Sequence, residues 1–209
     1  MMHELETAET GAGADDPEQR LDVARWRRAE RKRQLDRRLA LDRELRRRHA
    51  TQIAERLELE IGRVRGMTVS AYWPVRGEPD LRPLLRRLVS GGVTCALPVV
   101  VEVGQPLAFR GWVPGERLER GVWGIPVPSN GAAVKPDVII APVVAFDDAC
   151  YRLGYGGGYF DRTLAAMGAE PRVFGVGYSF SAVPTIYPQL HDIPMGAIVT
   201  EASVFRSKG

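Results

Sequence analysis

The segment Asp147 to Thr163, DDACYRLGYGGGYFDRT, concentrates the residue types that phosphate chemistry needs. Gly154, Gly156, Gly157 and Gly158 fall within five positions, bracketed by Arg152 and Asp161. Glycines at this density let the backbone turn tightly and approach a ligand without a Cβ in the way. Their N–H groups can form an anion-binding concavity, and a helix starting after them adds the positive end of its dipole. Arg152 supplies a fixed cation for phosphate, and Asp161 a hard oxygen ligand for a cation such as Mg2+. A glycine-rich turn beside an ordinary ion pair is the competing reading. Arg before the run and Asp after it favour a phosphate site. The run is neither a Walker A loop, since it has no lysine, nor a dinucleotide fingerprint, since Tyr159 stands where a final glycine would be.

RLGYGGGYFDR resembles the signature of the 5-formyltetrahydrofolate cyclo-ligase family, with Phe160 where the usual bacterial form has a second tyrosine. Similar stretches are YWPVRGEPD (Tyr72 to Asp80), GVWGIPVP (Gly121 to Pro128) and the pair His191–Asp192. Together they run from about Arg20 to Glu201, in the right order. The resemblance implies a three-layer α/β/α sandwich and an ATP- and Mg2+-dependent closure of 5-formyltetrahydrofolate to 5,10-methenyltetrahydrofolate; Phe160 and the uncharged glycine loop leave open a paralogue acting on another N-formyl compound. The resemblance assigns Gly154, Tyr155, Gly156, Gly157, Gly158 and Tyr159 to a loop around ATP phosphates, with Arg152 as the catalytic cation. Some relatives carry Arg and Lys where this chain has Tyr155 and Gly157. That shifts the expected phosphate contacts to backbone N–H groups, Arg152 and the basic helix. Counting back from Ile53 puts the family's nucleotide-contacting basic pair at Arg27 and Arg31, one helical turn apart on one face. A count slipped by one gives Arg28 and Lys32 instead. Asp161 and Asp192 match the magnesium acids, and Glu78 and Trp123 match folate contacts, with Tyr159 on the floor shared with the nucleotide. Taken alone, Trp123 reads as core and Asp192 as a turn residue before Pro194.

These side chains need a scaffold. Residues 20–209 suffice for one α/β domain, and the polar, acidic segment 1–19 reads as a mobile tail rather than a targeting peptide. No apolar run is long enough to span a membrane. Two cysteines and three scattered histidines give neither a disulfide framework nor zinc spacing, which points to a reducing cytoplasm. Net charge is only +3, yet Arg20 to Arg48 holds 13 Arg or Lys against 5 Asp or Glu. That asymmetry suggests an anionic partner. A nucleic acid is the alternative to nucleotide phosphate, but the segment has one aromatic, Trp26, and no docking motif, so none is expected. A monomer is expected.

Arg20 to Arg65 reads as two helices with a break near Leu41–Asp42. Trp26, Leu35, Leu39 and Leu45 mark the first, and Ala50, Ile53, Leu57, Ile61 and Val64 stripe the second. Both should pack on one face of a larger core. Strands are expected at 67–73, 93–101, 107–112, 137–141, 173–177 and 197–200. A helix should span Asp80 to Val89, capped by Asp80. Strands alternating with helices predict a largely parallel sheet, with ligands at the C-terminal strand ends.

Overall fold

The computed structural model describes residues 17–168 and 171–207 of the chain. The expected acidic tail falls outside the described residues up to position 16, and Pro17 to Gln19 open the first helix. That helix, α1, spans Pro17–Ala40, and α2 spans Arg43–Ile61. The break at 41–42 exists because Asp42 takes an extended conformation and its carboxylate accepts from Leu45 N at 2.8 Å, an N-cap that restarts the helix.

Seven strands form the main sheet: β1 (Thr68–Ser70), β2 (Thr94–Val99), β3 (Ala108–Trp112), β6 (Val138–Pro142), β9 (Arg172–Val176), β10 (Ala197–Val199) and β11 (Val204–Arg206). Their order is β11-β10-β9-β6-β1-β2-β3, parallel throughout except for the edge strands β3 and β11. Two small antiparallel pairs stand apart, β4 (Leu118–Arg120) with β5 (Pro126–Pro128), and β7 (Ala145–Phe146) with β8 (Arg152–Leu153). Helix α3 (Arg82–Ser90) crosses from β1 to β2, and α4 (Tyr159–Met167) follows the glycine run.

Alternation along β6 shows how the layers form. Val138 and Ile140 join Ile53, Leu57 and Ile61 of α2 and Leu84, Leu85 and Leu88 of α3 on one face. Ile139 and Ala141 point the other way, toward Leu164 of α4 and the segment around Phe146. A period of two thus feeds two cores, and helices cover both faces, as the three-layer expectation requires.

The two N-terminal helices use different surfaces. Helix α2 buries the predicted apolar stripe. Helix α1 buries Arg27, Glu30, Gln34 and Arg38 instead, while Leu39 is 54% exposed. Trp26 packs beside Ala145, Leu153, Val183 and Ile186, so α1 lies over the β7–β8 pair with a polar face inward. Asp80 also acts one residue off its expected place. Leu81 is the cap position of α3, and the Asp80 carboxylate accepts from Arg82 N.

Candidate active site

Neighbouring β1 and β6 lead away in opposite directions across the sheet, the chain continuing to β2 on one side and to β9 and β10 on the other. Such a reversal opens a crevice at the carboxyl ends of the two strands. The loop after β1 carries Glu78. The segment after β6 makes the β7–β8 pair and then runs into Gly154 to Gly158. The predicted residues collect here.

Gly156 has φ 98° and Gly158 φ 64°, backbone states that favour glycine. The second is the cap residue of α4, so the loop turns directly into a helix N-terminus. At the base of the loop, Arg152 Nη1 donates to Asp161 Oδ1 at 3.0 Å and to Ile193 O at 3.2 Å. The same Asp161 oxygen accepts from Ile193 N at 3.2 Å. One buried guanidinium therefore ties both ends of the loop to the segment holding Asp192. Phe160 lies under that guanidinium, 5.9 Å from its ring centroid, where a phenyl face serves without a hydroxyl to satisfy.

Arg27 and Arg31 both turn toward the site. Arg27 forms an ion pair with Asp192 and donates to Ile186 O at 3.0 Å and Tyr187 O at 2.9 Å. Arg31 Nε donates to Gly154 O at 2.8 Å. Burial is the main influence lowering the Arg31 pKa, with the Arg27 charge adding to it and Asp192 opposing. Arg28 and Lys32 sit on the rim of a groove of about 500 Å³, also lined by Arg31, Arg76 and Tyr155. The Asp192 side chain is largely covered, which disfavours its charge, but the Arg27 hydrogen bond and the Gln189 amide outweigh this and hold its pKa below the usual value.

Glu78 and Trp123 meet the loop through different tyrosines. The Tyr155 hydroxyl donates to Glu78 Oε1 at 2.7 Å, and Val75 N donates to Oε2 at 2.8 Å. Burial pushes the Glu78 pKa up despite these bonds and the nearby Arg38 and Arg76 charges. Trp123 is not a core residue. It is 66% exposed, has φ 56°, and meets the Tyr159 ring edge-on at 5.4 Å between centroids. Gly104 N reaches the Tyr159 hydroxyl at 3.3 Å, bringing the loop after β2 to the same wall.

A model of the 5-formyltetrahydrofolate cyclo-ligase family matches residues 23–201. The chain belongs to that family. It is 33% identical over 146 residues to the 5-formyltetrahydrofolate cyclo-ligase of Mycolicibacterium smegmatis, covering 66% of this chain and 75% of the relative. The Escherichia coli K12 enzyme of the same name gives the same identity over 66% of this chain and 80% of its own length. Among solved structures, the 5,10-methenyltetrahydrofolate synthetase of Aquifex aeolicus superposes with a TM-score of 0.75 at 33% identity, covering 88% of this chain and 93% of that one.

Three arginines of this cyclo-ligase family member are not evident from sequence spacing. Arg38 is buried and donates to the Tyr155 hydroxyl at 2.5 Å and to Arg76 O at 3.0 Å. Arg162, in the first turn of α4, donates to Gly157 O and lies 5.0 Å from the Tyr159 ring centroid. Arg76 lies 5.5 Å from the Tyr155 ring centroid. The signal for Arg38 is present as polar residues at 27, 30, 34 and 38, a helical face in its own right. The abundance of arginine around it hides the pattern.

Proposed function

We propose that the protein converts 5-formyltetrahydrofolate to 5,10-methenyltetrahydrofolate with consumption of ATP, in the β1–β6 crevice. The observation that carries this reading is the setting of one loop. Gly154 to Gly158 is bordered by Arg31, Arg152 and Arg162 and joined by Tyr155 to Glu78 and by Tyr159 to Trp123. A phosphate cradle and two groups suited to a pterin, one carboxylate and one flat ring, thus share a wall.

A formamide is a weak electrophile because nitrogen donates into its carbonyl. Transfer of the ATP γ-phosphoryl group to the formyl oxygen makes that oxygen a leaving group. N10 then attacks the formyl carbon and gives up its proton, and the C–O bond breaks to release phosphate, with ADP as the other product. Phosphoryl transfer of this type depends on alignment and charge neutralisation more than on acid–base groups. Loop N–H groups, the N-terminus of α4, Arg31 and Arg152 suit that task, and Arg27 orders the Asp192 segment beside them. Glu78 accepts hydrogen bonds from pterin N–H groups, and Trp123 offers a stacking face.

Asp161 suits a magnesium ion that comes with the nucleotide. Its Oδ1 is committed to Arg152 and Ile193 N, leaving Oδ2 for a metal. Asp192 is held on both oxygens by Arg27 and its own turn, so it joins only as that pair loosens. Among the described residues no three acidic, histidine or cysteine side chains gather into a metal site, which suits an ion completed by phosphate oxygens and water. Bound there, Mg2+ would neutralise phosphate charge.

Much of the exposed basic charge on α1 and α2 is paired within the helices, as in Lys32–Asp36, Arg33–Glu30 and Arg47–Glu44. That favours nucleotide over nucleic acid. Among the described residues no helix is long and apolar enough to cross a membrane, and both cysteines are free and buried. The test is direct: methenyl absorbance should rise when the protein meets MgATP and 5-formyltetrahydrofolate. Folded protein at saturating ATP with no rise would overturn the reading.

A further inference from the structure

Tyr155 belongs to two places at once. Its backbone is part of the glycine loop and its ring lines the cationic groove, yet its hydroxyl ends on the Glu78 carboxylate. Arg38 completes a chain, donating from Nη2 to the Tyr155 hydroxyl, which itself donates to Glu78. Hydrogen bonds in series polarise and orient one another, most strongly where water is excluded.

Arg38 is anchored as well as buried. Its other nitrogens donate to Arg76 O at 3.0 Å and Val143 O at 3.4 Å. These carbonyls belong to the loop after β1 and the segment after β6, so one guanidinium on α1 spans both sides of the crevice. Arg38 and Arg76 flank the Tyr155 ring, with Cζ atoms 5.7 and 5.5 Å from its centroid. Such cation–π contacts hold the ring without fixing its hydroxyl. The hydroxyl direction is set by Arg38 on one side and Glu78 on the other. Glu78 has its second oxygen on Val75 N, so Tyr155 is its one side-chain link to the loop.

We propose that Arg38 and Tyr155 are positioning residues that couple the two substrate subsites, so that ordering the glycine loop around ATP sets the Glu78 carboxylate for the folate, and folate binding in turn orders the loop. This rests on the nucleotide and folate reading above. The consequence is synergistic binding, and linkage makes the factor equal in both directions.

The test measures the dissociation constant of 5-formyltetrahydrofolate with and without a saturating non-hydrolysable ATP analogue and Mg2+, and that of the analogue with and without the folate. Native protein should show each ligand tightening the other by the same factor, about fivefold or more. Tyr155→Phe keeps the ring and removes only the hydroxyl link, so the factor should fall to about one. Arg38→Gln should lower it too, and Tyr155→Phe decides the matter where that buried substitution fails to fold. The readout is a ratio, so a general loss of affinity cancels. A native factor near one, or an unchanged factor in Tyr155→Phe, overturns the coupling while leaving the enzymatic reading standing. Failure of the native protein to bind either ligand overturns both.

Discussion

Arg152 and Asp161 face each other across the whole glycine loop, Nη1 to Oδ1 at 3.0 Å, with side chains only 3% and 16% exposed. The two residues that bracket the loop in sequence thus close it in space. Removing either charge leaves the other buried and uncompensated, which typically costs about 3–5 kcal/mol. Arg152→Ala and Asp161→Ala should each lower stability as well as ATP use. The double variant Arg152→Met/Asp161→Leu separates the effects, regaining much of the stability while ATP-dependent cyclisation stays lost. Denaturant melts and methenyl absorbance on the three proteins check this. Recovery of activity together with stability would make the pair a purely structural clasp.

The loop glycines should not be equivalent. A Cβ on Gly156 would come no closer than 3.7 Å to Arg31, so space is not the obstacle there. Its φ of 98° is, and a side chain in such a state costs on the order of 1–2 kcal/mol. Gly154 has no positive φ, and a methyl group at its Cα would meet nothing within 4 Å. Gly156→Val should therefore lower the melting temperature by several degrees, whereas Gly154→Ala should change it little. Equal effects would show that the positive φ of Gly156 does not govern the stability of the loop.

Glu78 gives the protein a pH signature. Burial raises its pKa above the ordinary 4.5 even though Val75 N, Tyr155 and two arginines favour the charge. A raised carboxyl pKa means that the folded state binds the proton more tightly than the unfolded state. Its stabilising effect is complete below about pH 4.5 and is lost as pH rises through the folded value. Glu78→Gln removes the titratable group, so its stability relative to native should be greatest at neutral pH. The difference should move against the variant as pH falls toward 4.5. Melting temperatures of both proteins between about pH 4 and 8 test this window. A constant difference across it would mean that Glu78 titrates like an exposed carboxyl. The same variant should bind 5-formyltetrahydrofolate poorly, because a carboxamide replaces an acceptor-only carboxylate.

The parts of this architecture written in short-range pattern were legible in the chain. Ile53, Leu57 and Ile61 announce the buried stripe of α2, and the apolar runs before Pro142 and Gly177 become β6 and β9. The expected strand at 67–73 shrinks to Thr68–Ser70, after which the chain leaves the sheet for the loop that carries Glu78. Pairs such as β4–β5 and β7–β8 are two or three residues long, too short for any periodicity to register. The apolar residues of α1 mark the helix, but its inward face is largely polar, and Arg27, Arg31 and Arg38 find oxygen acceptors there from distant loops. Those partners lie more than a hundred residues away in sequence in the cases of Asp192, Gly154 and Tyr155. Which of many arginines turns inward depends on them, not on local spacing.

Trp123 offers the cleanest separation of folate from nucleotide. Its indole is exposed, meets Tyr159 edge-on and stands on a residue with φ 56°, so the fold gains little by keeping a large side chain there. A non-glycine residue held at positive φ points to a constraint other than stability. Trp123→Gly should leave the melting temperature unchanged or higher, since glycine accepts that conformation without strain. Trp123→Ala keeps the strain and should be close to native. Both variants lose a stacking face, worth about 0.5–1.5 kcal/mol beyond simple area for an aromatic pair. The apparent KM for 5-formyltetrahydrofolate should therefore rise by about two- to twelvefold on that scale, with a smaller change in KM for ATP. Steady-state kinetics with each substrate varied in turn, beside a thermal melt, measure all of this. Equal rises in both constants would move Trp123 from the folate wall to general support of the loop through Tyr159, whose ring it touches.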